Sequence, residues 1–510
     1  MSVEFGDFQT PPALAMRVVK RLERLHLEPD TILEPTCGVG NLLIAALEAY
    51  PNATGLGLEI NAEYVMRAAE RVRERGAVHV ADFFAPHTQQ LRSALHGRVL
   101  MIGNPPWVTS AAITASGGTN LPKKSNSQGL RGVEARTGKS NFDISESMLL
   151  SLLEGIQNTE NALCMIVKTS VARKVLRQVA QRQWRICDAQ LCAIDAKQEF
   201  AAAVDASVLI LRGTRGISDY RCAIYASLEA EMPLRVMGMT ADGQLIADAD
   251  AYQRSQRFLG TSTLEWRSGI KHDCSSVMEL SILQDGHLQN GLGEQPTLEP
   301  NYLYPMLKSS DLGNGRVTPR LMMLVPQTFI GEPTKLLEWH APLTWSYLNA
   351  HREKLARRGS SIYHNNPEFS VFGVGAYSFS PWKVAISGMY KCLEFTVTGP
   401  VGGRPVVFDD TCYFLPCETE AKAKVLHAML QTTEAQDALN ALIFWDEKRP
   451  ITKDKLSRLD LHALARATRD RLLPELVTRA TLDQRAALEA EFNVLTRDSL
   501  EDLPLFALAD

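Results

Sequence analysis

The chain contains no run of eighteen apolar residues, no Cys-x-x-Cys pair and no Gly-x-Gly-x-x-Gly sequence. The first absence excludes a helical membrane span. The second, with nine scattered cysteines and no paired Cys/His spacing, excludes a disulfide framework and a structural zinc site. The third argues against a dinucleotide fold of the NAD type. A charged-then-apolar leader is also missing from MSVEFGDFQTPP, so the expectation is a chain that is neither exported nor membrane-bound and works in a reducing, cytoplasmic compartment. Excess positive charge is lacking too: 54 Lys and Arg face 58 Asp and Glu, a net charge of −4. Any contact with nucleic acid must then come from a local basic surface.

What is present is the composition of a soluble protein, 45% hydrophobic and 22% charged over 510 residues, enough for two or three domains. Residues 1–215 alternate short apolar runs with helical patterns. The predicted strands are Ile32–Glu34, Gly55–Glu59, Val78–Asp82, Val99–Gly103, Leu163–Lys168, Leu191–Asp195 and Ser207–Leu211. Amphipathic stretches such as Ala62–Glu74 and Ser145–Ile156 lie between them. Strands separated by helices make a mostly parallel sheet covered on both faces, so the fold class is α/β. The last two strands lack a convincing crossover helix and are expected to form an antiparallel hairpin at a sheet edge. Ala111–Lys139, rich in Gly, Ser, Thr, Asn and Lys, is read as a long functional loop. Residues 216–260 are read as a connecting segment, with the polar stretch Ala241–Ala251 as linker. Residues 261–510 form a further mixed α+β module, dense in aromatics between Tyr363 and Phe395 and helical from about residue 418. No internal repeat is visible.

The chemistry is concentrated at the predicted strand ends. The first strand runs into ILEPTCGVGNLL, where Gly38 and Gly40 let the backbone approach a ligand closely. Leu43 stands where a dinucleotide site would have its third glycine. Glu34 at the strand tip repels phosphates and suits a cofactor that carries a sulfonium and an amino group. Glu59, at the end of the second strand, is placed for two ribose hydroxyls. Asp82 and Phe83, after the third, are placed for an adenine amino group and ring.

The fourth strand leads directly into Asn104-Pro105-Pro106-Trp107. Consecutive prolines fix the backbone and restrict the residue before each of them. An aromatic amino nitrogen is a poor nucleophile because its lone pair is delocalised into the ring. The Asn104 side-chain oxygen and the Pro105 carbonyl, accepting from its two N–H groups, would draw it toward a tetrahedral form able to attack a sulfonium methyl in line. Such catalysis works by positioning and electrostatics. Trp107 is expected to offer a flat face on which an extruded base stacks.

In this order the motifs resemble those of the gamma-class adenine-specific DNA methyltransferases of bacterial restriction–modification systems. FGDFQTPP (Phe5–Pro12) is similar to the family's F-x-T-P-type motif, and the glycine loop, the acidic end of strand two, the Asp-Phe pair and N-P-P-(Y/F/W) follow as in the family. The resemblance implies a Rossmann-like, seven-stranded class I methyltransferase domain using S-adenosyl-L-methionine. It assigns Phe8, Thr10, Pro11, Glu34, Pro35, Cys37, Gly38, Gly40, Glu59, Ile60, Asp82 and Phe83 to the cofactor, and Asn104, Pro105, Pro106 and Trp107 to catalysis. KSNFDISE (Lys139–Glu146) resembles the family's next motif, which places Phe142 and Asp143 near the substrate; Phe200 stands where members carry an aromatic that closes over the flipped base. Asn41-Leu42 departs from the family, many members of which carry an aromatic there.

The resemblance also implies a C-terminal target-recognition domain and double-stranded DNA as partner, with a separate restriction endonuclease as a further candidate partner; no metal is implied. Lys308, Lys383 and Lys391, near Tyr377, Trp382 and Tyr390, are candidates for DNA contact, as is the cluster His351–Arg358. His272-Asp273-Cys274 invites a nucleophile or metal reading but lacks a third partner. Alternatives remain: methylation of a protein glutamine amide, an RNA base or a cytosine amino group, or a catalytically silent DNA-specificity subunit.

Overall fold

A computed structural model describes residues 8–86, 88, 95, 97–108 and 143–497. Phe142 and the loop Ala111–Lys139 lie outside the described residues. The chain divides into two compact units, Met1–Asp250 and Ala251–Asp510.

The first unit is built on one ten-stranded sheet. Its strands are β1 (Thr31–Glu34), β2 (Thr54–Glu59), β3 (Gly76–Val80), β4 (Val99–Gly103), β5 (Ala162–Lys168), β6 (Ile186–Ile194), β7 (Ala206–Gly213), β8 (Cys222–Tyr225), β9 (Arg235–Met239) and β10 (Leu245–Ile246). The helices used below are α1 (Pro12–Glu23), α2 (Asn41–Ala49), α3 (Ala62–Val72), α4 (Ile144–Glu154), α5 (Thr169–Gln181) and α6 (Ala196–Phe200). The strand order is β10-β9-β8-β6-β7-β5-β4-β1-β2-β3. β1 to β5 pair in parallel, and β7 runs antiparallel between β5 and β6. All seven expected strands are present, and the last two pair antiparallel as expected, but inside the sheet and not at its edge, because β8 continues the sheet beyond β6.

The expected count of seven is corrected to ten. β8 pairs in parallel with β6, and β9 and β10 follow antiparallel. The segment 216–260, read as connection, thus carries three strands of the sheet. These strands are short and only partly apolar, which is why the pattern reads as linker, yet Cys222, Leu228, Met237, Ile246 and Ala247 are all buried. Arg21 of α1 fastens this extension. Its guanidinium lies 3.9 Å over the Tyr225 ring and donates to the Ala230 carbonyl and to Gln190 of β6.

The sheet core follows the two-residue alternation of strands. Ile32, Leu100, Ile102, Cys164, Ile166, Val208 and Ile210 pack with Leu14, Val18 and Leu22 of α1 and Leu42, Leu43 and Ala46 of α2. Leu163, Met165 and Val167, equally buried, face the other way, and α4 and α5 pack against β5.

The second unit contains a four-stranded sheet in the order β11-β19-β16-β17 and a five-stranded sheet in the order β13-β12-β15-β14-β18. The strands are β11 (Arg267–Ser268), β12 (Glu279–Ile282), β13 (Leu288–Asn290), β14 (Leu303–Leu307), β15 (Leu321–Leu324), β16 (Trp382–Ser387), β17 (Thr396–Thr398), β18 (Val407–Phe408) and β19 (Cys412–Cys417). From residue 420 the chain is helical: α7 (Glu420–Leu430), α8 (Thr433–Asn440), α9 (Leu461–Thr478) and α10 (Leu482–Thr496). These helices close one core with Trp266, Val384, Ile386 and Leu415.

Lys383, a candidate for DNA contact, lies in the core. Only 1% exposed, it donates to the Ser380 carbonyl at 2.6 Å, and burial lowers its ammonium to about 7. The alternation of β16 turns Val384 and Ile386 into one core and Lys383 toward the Phe414 ring on the opposite side. Part of the His351–Arg358 cluster is also structural: Arg358 is buried over the Tyr363 ring and donates to the Ser370 carbonyl. Lys308 is held by both oxygens of Glu279, and His272 accepts from the Cys274 N–H and meets the same glutamate.

Candidate active site

The C-terminal ends of parallel strands are where open α/β sheets bind ligands, and the predicted motifs meet at the ends of β1, β2 and β4. After β1 the backbone turns through Gly38 and Gly40, with φ of +51° and +80°. A Cβ at Gly40 would come 3.3 Å from the Ala68 Cβ; at Gly38 it would run into the Gln9 amide. Both glycines are therefore favoured by their left-handed conformation, and the space beside each is tight. Cys37, buried in the same turn, donates its backbone N–H to Leu58 of β2.

Two carboxylates organise the turn. Glu59 accepts from the Gly38 N–H through one oxygen and from the Asn61 N–H through the other, both at 2.9 Å. Glu34 is 3% exposed and accepts from the Leu43 N–H in the first turn of α2 at 2.9 Å. Burial pushes its carboxyl well above the usual carboxylate range; the Leu43 N–H opposes the shift and Glu59 adds to it. Ile60 follows Glu59 with its side chain exposed, and Asp82 accepts from the Phe84 N–H beside the buried Phe83 ring. Pro35 lies close to Gly103 at the end of β4.

The Phe8–Pro11 segment joins these pieces. The Phe8 carbonyl accepts from the Asn104 side-chain nitrogen at 3.0 Å, and Gln9 Oε1 accepts from the Val39 N–H at 3.1 Å. The Thr10 carbonyl accepts from Asn41 Nδ2 at 2.8 Å. Arg71 of α3 then donates to the Val39 carbonyl and to Asn41 Oδ1, both at 2.7 Å. The departure at Asn41 thus has a purpose: an amide there bridges the strap, the glycine loop and α3. Gln9 and Arg71 were not singled out by sequence, although Gln9 stands inside the quoted motif.

Asn104 is the decisive group. A carbonyl only accepts, so the bond to Phe8 turns the nitrogen of the Asn104 amide toward Phe8 and leaves Oδ1 on the other side. Among the described residues that oxygen is buried without a hydrogen-bond partner, a costly state for a polar atom unless a ligand supplies a donor. Pro105, next in the chain, is buried as well. Trp107 differs from its expected role as an open stacking face. It is 6% exposed, its ring packs 5.5 Å from Phe8 and 5.1 Å from Phe200, and its indole donates to the Ile166 carbonyl at 3.3 Å. Phe200 is brought to the tetrapeptide but is itself 9% exposed within that cluster.

Asp143 caps α4, accepting from the Ser145 N–H and hydroxyl. It also meets Lys168 Nζ at 2.6 Å, a residue sequence reasoning missed because a lysine closing an apolar strand looks like an ordinary solvent-facing end. Among the described residues there is no group of three side chains able to hold a metal, and no helix is long and apolar enough to cross a membrane.

Over 472 residues the chain is 41% identical to the type II methyltransferase M.NspV of Nostoc sp. (strain ATCC 29411 / PCC 7524), covering 91% of this chain and 98% of that one. The chain belongs to the type II methyltransferases. This methyltransferase also matches the type II methyltransferase M.CvrRI of Paramecium bursaria Chlorella virus XZ-6E, at 34% identity over 106 residues, 20% of this chain and 25% of that one. In fold it resembles the type IIL restriction–modification enzyme MmeI, solved in complex with DNA, with a TM-score of 0.52 at 11% identity over 95% of this chain and 71% of that one. No family model matches the chain.

Proposed function

We propose that this type II methyltransferase transfers the methyl group of S-adenosyl-L-methionine to the exocyclic N6 amino group of adenine in double-stranded DNA, after extruding the base from the helix. The observation that carries the reading is Asn104 Oδ1, a buried acceptor held in place by Phe8 and lacking a donor among the described residues. An amino group with two N–H bonds supplies one donor to Asn104 Oδ1 and the other to the Pro105 carbonyl. The pair draws the nitrogen toward a tetrahedral geometry in which its lone pair is free to attack, and it requires no general base of shifted pKa.

The residues fit the cofactor. The left-handed glycine turn admits a ligand against the backbone, and Glu59 is aimed by two N–H groups so that its carboxylate is set for ribose hydroxyls. Glu34 is a buried carboxyl whose ionisation a nearby cation would favour. When bound, S-adenosylmethionine supplies an electrophilic methyl group on a positively charged sulfur. Ile60, Asp82 and Phe83 would hold the adenine end and Phe8, Thr10 and Pro11 the near wall, while Pro35 and Cys37 shape the turn. A target inside a duplex is reached only by base extrusion. The M.NspV relationship and the MmeI fold support DNA as the substrate, and in this reading the second unit selects the sequence. Transfer of labelled methyl to unmethylated plasmid DNA, with the modified nucleoside identified by mass, tests the reading: methyladenine is expected, and label confined to methylcytosine, RNA or protein overturns it. Asn104→Ala should abolish transfer with S-adenosylmethionine affinity retained; turnover by that variant would remove the role assigned to Asn104.

A further inference from the structure

The N-terminal half of the Asn104–Trp107 turn is held by the Phe8 carbonyl. Its C-terminal half needs its own restraint, because the Pro105 carbonyl carries no side chain to aim it. β4 and β5 pair in parallel with Gly103 opposite Met165, so three residues further on Lys168 comes level with Pro106. Lys168 Nζ donates to the Trp107 carbonyl at 2.9 Å and to Asp143 Oδ2 at 2.6 Å. Asp143 spends its other oxygen on the first turn of α4, and the Ile144 N–H donates to the Val108 carbonyl at 2.9 Å. The Trp107 indole meanwhile donates to the Ile166 carbonyl, two residues before Lys168. Trp107 is therefore tied to β5 at both its ring and its backbone.

The Lys168 side chain is 22% exposed and that of Asp143 8%. An ion pair this shielded is expensive to break by removing one partner. Its geometric product is a fixed Trp107 peptide, and through the two prolines a fixed Pro105 carbonyl.

We propose that Lys168 is a positioning residue for methyl transfer, clamping the C-terminal half of the Asn104–Trp107 turn through the Trp107 carbonyl with Asp143 as its counter-ion. The inference rests on Asn104 as the acceptor for an amine but not on which amine is methylated. A misplacement of about 1 Å costs roughly a hundredfold in rate, so a loosened turn shows in the chemical step before it shows in cofactor affinity.

The test measures the single-turnover rate of methyl transfer, the S-adenosylmethionine Kd by calorimetry, and the melting temperature of the full-length protein. Lys168→Met is expected to slow transfer roughly ten- to a hundredfold with the Kd within about twofold of wild type. Lys168→Arg, which keeps the charge and a donor, recovers part of the rate. Asp143→Asn shows a similar loss, and the double variant Lys168→Met/Asp143→Asn is no worse than either alone, as for residues acting in one network. A wild-type rate in Lys168→Met overturns the proposal. So does a rate loss matched by an equal loss of cofactor affinity and a lowered melting point without rescue by arginine, since that marks general damage. If Lys168→Met does not fold, Lys168→Arg and Asp143→Asn decide: a slowed rate at retained Kd supports the clamp, and unchanged rates in both overturn it. Asn104→Ala measured alongside separates the two claims, because its turnover would remove the role of Asn104, whereas the Lys168 result is read on whichever amine the wild type methylates.

Discussion

Glu34 and Lys383 are both buried ionisable residues, and they make opposite predictions. The folded-state pKa of Glu34 lies well above its ordinary value of 4.5, mainly through burial. Its contribution to stability is thus fully present below pH 4.5 and is lost as pH rises toward the folded value, where the unfolded chain has already released its proton. Glu34→Gln keeps an acceptor for the Leu43 N–H without the charge. Its ligand-free melting temperature should match wild type near pH 4.5 and exceed it at pH 8, and a gap that does not change with pH would contradict this account. The same variant should lose most of the extra stabilisation that S-adenosylmethionine gives over S-adenosylhomocysteine, which has no cationic sulfur. Lys383 runs the other way. Burial lowers it from 10.5 to about 7, so stability is lost as pH falls from 10.5 to 7 while the unfolded chain takes up a proton. Lys383→Met should therefore gain in melting temperature relative to wild type across that fall, with DNA affinity unchanged in a binding titration; a marked loss of DNA affinity would restore the contact expected from sequence.

At the scale of elements, the glycine loop is supported from outside by Gln9, Asn41 and Arg71. Arg71→Ala removes two hydrogen bonds, one to the loop and one to Asn41, without touching the Asn104–Trp107 turn. Its expected signature is a severalfold weaker S-adenosylmethionine Kd with near-normal transfer at saturating cofactor, and a rate loss that saturation does not repair would count against it. Gly40→Ala forces a left-handed φ on a residue with a Cβ, at a cost of about 1 kcal/mol or more, and pushes that Cβ onto Ala68. It should weaken cofactor binding more strongly than Arg71→Ala does. The turn glycines, Glu34, Glu59 and Asn104 were legible in the sequence because strand ends, sharp turns and chemistry coincide there. The supporting residues were not. Arg71 lies on a charged helix face and Lys168 closes an apolar strand, and each has a partner far away in sequence; the burial of Lys383 was equally hidden, because its aromatic-rich stretch reads as surface. Trp107 was found, but only packing with Phe8 and Phe200 shows that its ring is already engaged.

For the whole molecule, the sheet extends to Ile246, and the first unit to Asp250. A fragment of residues 1–250 should be soluble and bind S-adenosylmethionine. A fragment of residues 1–215 strips β8 from the edge of β6 and takes Tyr225 and the Ala230 carbonyl from Arg21, so it should aggregate, as bare sheet edges do. Size-exclusion chromatography of the two fragments checks this, and a monomeric 1–215 would refute it. The three added strands were unreadable because β10 has two residues and β8 four, too short to show a period. They also fix where such a chain can be recombined with a relative. If the second unit selects the DNA sequence as proposed, a splice that exchanges it has to fall beyond the tenth strand, and a donor joined at residue 215 would arrive at the expense of three strands of the first unit's sheet.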